Sequence, residues 1–280
     1  MQALLKQIHQ ERGLSFSAYK PSFLERRFAA RMRARDCADY AAYGQLLRRE
    51  PEEYTQLLNA LTINLTHFFR DASTFQAIEE RILPALLHTR AAERRLRIWS
   101  AGCATGEEPY SIAILLAERL GPALAHWQLD ILATDVEPAT LEQARAGTYN
   151  DFSFKNVAPR YQPWVERYFT PAPQRQLDHK IRAMVSFQHH DLAQDPLPNN
   201  LDLILCRNVL IYFDRQQQHR LYQAFHSALL PEGFLILGKT EMLPLSWGQH
   251  FAAFDMREHI YTRVAHTLQQ SPSPIAGRSL

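Results

Sequence analysis

Residues 99–110 read Trp-Ser-Ala-Gly-Cys-Ala-Thr-Gly-Glu-Glu-Pro-Tyr, and this stretch decides the fold. A strand-like run over 96–99 enters a loop with Gly102 and Gly106, and Pro109 lies near the start of a helical pattern. The apolar face of that predicted helix comprises Ile112, Leu115, Leu116 and Leu120. Glycine in such a loop lets the main chain approach a ligand closely. Strand, glycine loop and helix in this order predict the first unit of a nucleotide-binding α/β sheet.

The chemistry of this loop favours a cationic ligand. Its spacing, Gly-x-x-x-Gly, differs from the Gly-x-Gly-x-x-Gly turn that binds dinucleotides. Glu107 and Glu108 follow at once, and their charge would repel a pyrophosphate from the positive N-terminus of the helix. S-adenosylmethionine suits these acids better because it carries a sulfonium and an ammonium group. The alternative is an ordinary strand-to-helix turn in which an acid stabilises the helix.

The composition is that of a globular protein. The chain has 280 residues, 46% of them hydrophobic, which is enough for one large domain and a smaller one. Its apolar runs are too short to span a bilayer, and residues 1–7 predict an amphipathic helix rather than a signal peptide. The three cysteines are too far apart for a disulfide framework or a zinc site. We therefore expect a cytoplasmic protein without direct membrane insertion, and the net charge of +2 is too small to indicate nucleic acid as a partner.

Residues 1–75 are predicted to form a small helical domain and its linker. Six basic residues and one acid lie between Lys20 and Arg35. Arg27, Arg31 and Arg35 follow one another at intervals of four and would form one row beside the apolar stripe. A solvated helix face is one interpretation, but such faces normally mix both signs of charge. The scarcity of acids favours an acidic partner for this row.

Beyond residue 95 the predicted strands and helices alternate, as in a mostly parallel α/β sheet. Strands are predicted over 130–135, 201–206, 234–238 and 260–264, and helices over 138–146 and about 214–229. Between about 148 and 190 this rhythm breaks, which predicts a small inserted β subdomain within a large domain over 76–264. The polar, proline-rich residues 265–280 are expected to be disordered.

Several polar side chains follow predicted strands. Asp135 ends a strand about one helix beyond the glycine loop, where an acid accepts hydrogen bonds from ribose hydroxyls. Asn208 and Tyr212 follow a near-continuously apolar strand, at the sheet edge where a reaction centre would lie. Tyr212 as an ordinary core aromatic is the alternative. Asp191 and Leu192 follow another strand-like run and are candidates for contact with an adenine edge.

Residues 64–70, Asn-Leu-Thr-His-Phe-Phe-Arg, interleave polar and apolar side chains. This predicts a half-buried segment that faces a polar ligand with Asn64, Thr66 and Arg70. The alternative is that Asn64 or Thr66 begins a helix and that Arg70 pairs with a neighbouring acid.

The sequence lacks the Gly-x-Ser-x-Gly, His-Glu-x-x-His, Walker and Cys-x-x-Cys motifs. For methyl transfer this is uninformative, because a sulfonium is a good leaving group and a carboxylate acceptor needs no general base. His189 and His190 are adjacent and have no third ligand at a useful spacing, so we predict no metal site.

Four motifs occur in order along the chain: Asn-x-Thr-x-Phe-Phe-Arg at 64–70, the glycine loop with Ser at 99–111, Ala-Thr-Asp at 133–135 and Cys-Arg-Asn-Val-Leu-Ile-Tyr-Phe at 206–213. In this order they resemble the chemotaxis receptor methyltransferases, the CheR family. The resemblance implies a class I S-adenosylmethionine-dependent methyltransferase, Rossmann-like, with a small N-terminal helical domain. It also implies methyl transfer to glutamate side chains on chemoreceptor cytoplasmic helices, which gives glutamyl methyl esters and S-adenosylhomocysteine.

The resemblance also implies roles for individual residues. Arg70 and Tyr212 match the pair near the transferred methyl group and would hold the acceptor carboxylate. At 191 the family often has Asn, whereas an ionised Asp191 can only accept hydrogen bonds. The family's cofactor contacts match Asn64, Thr66, Arg70, Glu108, Asp135, Leu192, Asn208 and Val209, to which the sequence pattern adds Gly102 and Asp191.

The partner implied is the cytoplasmic domain of a methyl-accepting chemotaxis protein, bound by a monomer of this chain. Arg27, Arg31 and Arg35 fit the family's receptor-facing domain, since methylatable receptor helices are acidic. Family members that dock a receptor's C-terminal pentapeptide carry a longer, glycine-containing loop in the inserted subdomain. Residues 170–179 are short and lack glycine, which predicts methylation independent of that pentapeptide.

Two other function classes fit parts of the sequence. A nicotinamide-dependent oxidoreductase would need the Gly-x-Gly-x-x-Gly turn, which is missing. A non-catalytic signalling module that binds S-adenosylmethionine would need neither Arg70 nor Tyr212, and both are present. The sequence therefore favours the methyltransferase.

Overall fold

A seven-stranded sheet forms the centre of the large domain. The computed structural model describes residues 1–12, 16–61 and 66–264. Listed by position in the sheet, the strands are β5 (Val185–His189), β2 (Gln128–Asp135), β1 (Arg95–Ala101), β6 (Leu201–Cys206), β7 (Leu229–Leu237), β9 (Ile260–Arg263) and β8 (Phe251–Asp255). A separate small sheet pairs β3 (Thr148–Tyr149) with β4 (Arg175–Gln176). The predictions for Asn64 and for a disordered tail over 265–280 lie outside the described residues.

The strand pairing confirms the mostly parallel, Rossmann-like sheet. Strands β5, β2, β1, β6 and β7 are parallel to one another, and β9 is antiparallel to both β7 and β8. The chain runs outward from β1 through β2 to β5 and then returns to the other side of β1 with β6. The carboxyl ends of β1 and β6 therefore border the crevice in which an open α/β sheet binds ligands.

The predicted helices of the large domain are present. Helix α8 (Pro138–Ala146) ends at Gly147, which adopts a left-handed conformation with φ of 63°. Helix α11 (Arg215–Ala228) begins after Asp214, whose side chain accepts a hydrogen bond from the main chain of the first turn. Every residue of β6 is buried. This is typical of a parallel strand that is covered on both faces.

Two hydrophobic cores lie on the two faces of the sheet. Successive strand side chains point to opposite faces, so Ile98 joins one core and Trp99 the other. Helix α7 (Glu107–Leu120) packs on the first core, and α11 packs on the second through Phe225. The first core is also covered by α5 (Ala72–Ala77), a π-helical turn (Ile78–Ile82) and α6 (Leu83–Thr89). Among the described helices, none is long and apolar enough to cross a membrane.

The first four helices form a domain with its own hydrophobic core. They are α1 (Gln2–Arg12), α2 (Pro21–Ala34), α3 (Tyr40–Arg49) and α4 (Pro51–Leu61). Ile8 and Phe28 lie in this core and are completely buried. Within the predicted helical domain and linker of 1–75, Phe68 and Phe75 are buried in the core of the large domain.

The arginine row on α2 is bound within this domain. The side chain of Glu53 on α4 is fully buried and lies 2.7 Å from Arg31 and 3.1 Å from Arg35. Arg35 also pairs with Glu50, and the Tyr43 hydroxyl donates to Glu53 at 2.8 Å. The predicted row of free positive charge is therefore not present at Arg31 and Arg35. Their partners lie on another helix, which the pattern of one helix face cannot show.

The insertion between α8 and β5 is smaller than the predicted 148–190. It contains the β3–β4 sheet, α9 (Gln162–Tyr168) and α10 (His179–Arg182). Residues 185–189 were predicted to belong to it, but they form β5, which pairs in parallel with β2 at the edge of the main sheet. The insertion packs on the large domain because the Phe68 ring contacts Phe154 and Phe169 at centroid distances of 5.0 and 4.9 Å.

Replacement of Glu53 by Ala should destabilise the helical domain. The substitution removes the buried carboxylate with which Arg31 and Arg35 pair. We therefore expect the free energy of unfolding to fall by about 3 kcal/mol. Chemical denaturation followed by circular dichroism measures this loss. The control is Glu52→Ala at the neighbouring exposed acid, which should stay within about 0.5 kcal/mol of the parent chain. Equal stability of the two variants would contradict the structural role of Glu53.

Candidate active site

The glycine loop between β1 and α7 lies too close to its neighbours to carry a side chain at Gly102 or Gly106. Gly102 and Gly106 have φ of 76° and 92°, a region that favours glycine. A Cβ atom on Gly102 would overlap the side chain of Val209, and one on Gly106 would lie 2.9 Å from the Cβ of Ala144. The loop after β1 is therefore held against the loop after β6, and the two border one cleft.

Asp135, at the end of β2, connects the cleft to this loop. Its Oδ2 accepts a hydrogen bond from the main chain of Ala104 at 2.9 Å, and its Oδ1 accepts one from the main chain of Glu137 at 3.0 Å. Burial raises the pKa of Asp135, and the hydrogen bonds from main-chain N–H groups oppose that rise. Each carboxylate oxygen has a further lone pair. Asp135 can therefore accept hydrogen bonds from a ligand while it holds the loop.

The two acids of the glycine loop point in different directions. Glu108 lines the cleft, where its carboxylate accepts from the Ser100 hydroxyl at 2.8 Å and from Arg207 at 3.1 Å. Glu107 is 2% exposed and accepts from the hydroxyls of Thr105 and Ser153. Burial raises the pKa of Glu107. Glu108 thus lies in the cleft, and its contact with a cationic ligand stays a prediction, whereas Glu107 binds the glycine loop to the insertion.

Arg207 is a buried cation that the sequence reasoning did not single out. Its guanidinium pairs with Glu108 at 3.1 Å and with Asp71 at 2.6 Å, and it donates to the main-chain oxygen of Arg70 at 3.0 Å. Asp71 has a left-handed backbone with φ of 62°. One side chain therefore fixes both the main chain at Arg70 and the carboxylate of Glu108. One sequence feature could have pointed to Arg207: it is a charged residue directly after the apolar end of strand β6.

Asn208 lines both parts of the cleft and carries a buried, unsatisfied acceptor. Its φ is 62°, a conformation that Asn tolerates better than most residues. Its main-chain N–H donates to Glu241 at 2.7 Å, and within the described residues its side-chain Oδ1 is buried without a hydrogen-bond partner. A buried polar atom without a partner is costly. A ligand with a donor group at this place would remove that cost.

Tyr212 ends a 3-10 turn that both domains hold in place. Its ring contacts Phe23 of α2 at a centroid distance of 4.9 Å. Lys20 donates to the main-chain oxygen of Tyr212 at 2.9 Å and, through its ammonium group, to that of Ile211 at 2.8 Å. Burial raises the pKa of Tyr212, while the charges of Arg27 and Arg70 lower it. The phenol therefore stays protonated at neutral pH and can donate a hydrogen bond.

The carboxylate of Asp191 accepts hydrogen bonds from residues of its own turn. Its carboxylate accepts from the main chain of Ala193 at 2.8 Å and from the side chain of Gln194 at 2.6 Å. His190 beside it packs against Trp99. Contact of Asp191 with an adenine edge stays a prediction. Among the described residues there is no group of three or more His, Cys, Asp or Glu side chains that could hold a metal ion.

The cleft has two adjoining parts, which share Gly102, Ala104, Asn208 and Tyr212 in their linings. The residues of the predicted cofactor set that line the first part are Gly102, Asp135, Asp191, Leu192, Asn208 and Val209. Those that line the second part are Thr66, Arg70, Gly102, Glu108 and Asn208. Tyr212 lines both parts, so it lies beside Arg70 and the predicted cofactor residues. Tyr19, which the sequence reasoning missed, also lines the first part, whereas Arg27, Arg31 and Arg35 line neither.

Comparison with known families agrees with this geometry. Residues 64–260 match the family model described as "CheR methyltransferase, SAM binding domain", and residues 1–62 match "CheR methyltransferase, all-alpha domain". The chain belongs to the CheR methyltransferase family. The first match ends one residue after α4, which ends at Leu61. S-adenosylmethionine is accordingly the cofactor of this CheR-family fold.

Curated relatives match over most of the chain. The chemotaxis protein methyltransferase of Listeria monocytogenes is 33% identical over 86% of this chain and 90% of its own length. The chemotaxis protein methyltransferase of Escherichia coli is 34% identical over 84% of this chain and 81% of its own length. An uncharacterized 104.1 kDa protein of Rhodobacter capsulatus is 34% identical over 95% of this chain. That match covers only 27% of the larger protein.

The residues of this CheR-family site fit the cofactor. Asn208 lines the cleft and carries a buried acceptor, Oδ1, without a partner among the described residues, and the loop at Gly102 admits no side chain. Glu108 lies in the second part of the cleft, where its charge suits an ammonium or sulfonium group. Asp135 lies in the first part, where its free lone pairs suit hydroxyl donors.

Asp135→Ala should weaken the binding of S-adenosylhomocysteine by about 1–3 kcal/mol, because charge-assisted hydrogen bonds to hydroxyls are lost. Isothermal titration calorimetry measures the change. Glu142→Ala is the control, since this exposed acid on α8 pairs with Arg145 outside the cleft. An unchanged Kd in Asp135→Ala would remove this carboxylate from the binding site.

Proposed function

We propose that this chain transfers a methyl group from S-adenosylmethionine to glutamate side chains on the cytoplasmic helices of a chemoreceptor. The observation that carries the proposal is the position of Arg70 and Tyr212, which line the part of the cleft that also contains Glu108 and Asn208. The relatives named chemotaxis protein methyltransferase support the same reaction. The products would be glutamyl methyl esters.

The cofactor side of the reaction rests on four residues. Asp135 would accept from the ribose hydroxyls and Glu108 would bind the ammonium group, while Asn208 offers its unpaired oxygen. Leu192 is buried in the first part of the cleft and would contact the adenine. When bound, S-adenosylmethionine supplies an electrophilic methyl group on a sulfonium that is a good leaving group.

The acceptor side rests on Arg70 and Tyr212. A glutamate is already nucleophilic when ionised, so the protein has no proton to remove. Arg70 would bind the carboxylate by charge, and the protonated Tyr212 would donate to its second oxygen. Rate enhancement then comes from alignment and from fixed charges in a partly buried site.

The route to Tyr212 passes the beginning of α2. Lys20, Phe23 and Arg26 line a groove that ends at Ile211 and Tyr212. Arg26 and Arg33 are exposed, whereas Arg31 and Arg35 are neutralised by Glu53 and Glu50. We therefore assign recognition of an acidic receptor helix to Arg26, Arg27 and Arg33 rather than to the complete predicted row.

Arg70→Ala and Tyr212→Phe should lower kcat by about tenfold or more, because both remove interactions with the acceptor in the transition state. The Kd for S-adenosylhomocysteine should change by less than about threefold. Transfer of a radiolabelled methyl group to a receptor fragment gives the rate. Tyr168→Phe is the control, since its hydroxyl binds Glu118 outside the cleft. Full activity of Tyr212→Phe with loss of cofactor binding in Arg70→Ala would reverse these roles.

Docking should depend on salt and on the exposed arginines. Exposed ion pairs contribute about 0.2–1 kcal/mol each and are screened by salt, so Arg26→Glu combined with Arg33→Glu should raise KM about tenfold. Arg119→Glu, at an exposed position on α7, is the control.

Because the segment 170–179 is short and lacks glycine, deletion of the receptor's last five residues should leave KM unchanged. A large loss on that deletion, without salt dependence, would show that docking occurs elsewhere.

A further inference from the structure

Glu241 is a buried acid just after β7 that the proposed reaction does not use. Its side chain accepts main-chain hydrogen bonds from Asn208 at 2.7 Å, from Gly238 at 2.7 Å and from Ile211 at 3.2 Å. The residue is 4% exposed. One carboxylate thus connects the residue after β7 to Asn208 and Ile211, in the segment that leads to Tyr212.

A carboxylate suits this place better than a neutral side chain. Main-chain N–H groups converge on both of its oxygens, Oε2 receiving those of Asn208 and Gly238 and Oε1 that of Ile211. Hydrogen bonds to an ionised acceptor are stronger than those between neutral groups. Gln has the same shape but only one oxygen, so its NH₂ group would meet main-chain donors on the other side.

Gly238 gives independent evidence for close packing here. A Cβ atom at this position would lie 2.7 Å from Oε2 of Glu241, 2.8 Å from the main-chain nitrogen of Asn208 and 3.0 Å from its Nδ2. Two of these atoms cannot move without breaking the hydrogen bond between Glu241 and Asn208. The close packing at Gly238, directly after β7, therefore also fixes the position of Asn208.

The segment held in this way carries two residues of the cleft. Asn208 adopts its left-handed conformation, lines both parts of the cleft and carries a buried side-chain oxygen without a partner among the described residues. Tyr212 ends the 3-10 turn whose first N–H groups point to Glu241. Glu241 itself does not line either part of the cleft.

We propose that Glu241 is a positioning residue for methyl transfer, which holds Asn208 toward the cofactor and Tyr212 toward the acceptor without touching either ligand. This inference rests on the proposed function for its acceptor half only. Its cofactor half depends on Asn208 alone and can be measured without a receptor.

The test compares Glu241→Gln with Asp202→Asn in the full chain. Asp202 is an equally buried acid on β6, where it binds the main chain of Arg97 at 2.8 Å and the side chain of Arg90 at 2.6 Å. Both variants replace a buried carboxylate by an amide of the same shape. Asp202 lies near the beginning of β6, at the end of the strand opposite the cleft. Asp202→Asn therefore measures the effect of losing a buried carboxylate that has only a structural role.

We expect Glu241→Gln to raise the Kd for S-adenosylhomocysteine about fivefold in calorimetry and to lower kcat about tenfold. KM for the receptor fragment should change little, because docking lies on α2. Asp202→Asn should lower Tm as well but leave Kd and kcat within about twofold of the parent chain. Gly238→Ala should reproduce the pattern of Glu241→Gln, since its Cβ displaces the same hydrogen bonds.

Two results would overturn the inference. One is an unchanged Kd and kcat in Glu241→Gln after correction for the folded fraction. The other is that Asp202→Asn changes Kd and kcat as much as Glu241→Gln does. If Glu241→Gln does not fold, Gly238→Ala decides by the same two readouts. Failure of the proposed function looks different. In that case the parent chain binds S-adenosylhomocysteine but methylates no receptor fragment, and the effect of Glu241→Gln on Kd remains.

Discussion

The cleft depends on one close approach, that of the loop after β1 to the loop after β6. Two neighbouring parallel strands end at the same edge of the sheet, and the chain leaves them in opposite directions. Gly102 and Val209 meet there so closely that any side chain at position 102 would overlap Val209. This contact sets the distance between Asp135 on one side and Asn208 on the other. A cofactor bound as we propose, at Asp135 and Asn208, would lie next to Tyr212, which lines both parts of the cleft.

Buried charges hold the parts of this cleft together, and each has partners. Arg207 joins Glu108 to Asp71, Asp135 binds the glycine loop, and Glu241 binds the turn before Tyr212. A buried charge without partners would cost several kcal/mol, so these groups must be satisfied together. The consequence is a site whose polar groups are oriented before the ligands arrive, which is what alignment-based catalysis requires.

The strand–loop–helix unit and Asp135 could be predicted because their signals are local in sequence: apolar periodicity, glycine spacing and an acid at a strand end. The partners of Glu53 and Glu241 could not, because they lie on other elements and leave no pattern along the chain. Tyr19 gives no signal either, since a lone aromatic before α2 has no periodicity that points to the large domain. The edge strand β5 was assigned to the insertion because an exposed edge strand alternates weakly whichever sheet it joins.

The most direct test of the account is the chemistry of the product. The chain is incubated with S-adenosylmethionine that carries a radiolabelled methyl group and with a chemoreceptor cytoplasmic fragment, and the labelled fragment is then treated with mild alkali. We expect label on the fragment that alkali releases as methanol, because carboxyl methyl esters hydrolyse in base, and an initial rate of labelling lower by about tenfold or more when Tyr212→Phe or Arg70→Ala replaces the parent chain. A fragment that gains no label, or label that survives alkali, would contradict glutamate methylation.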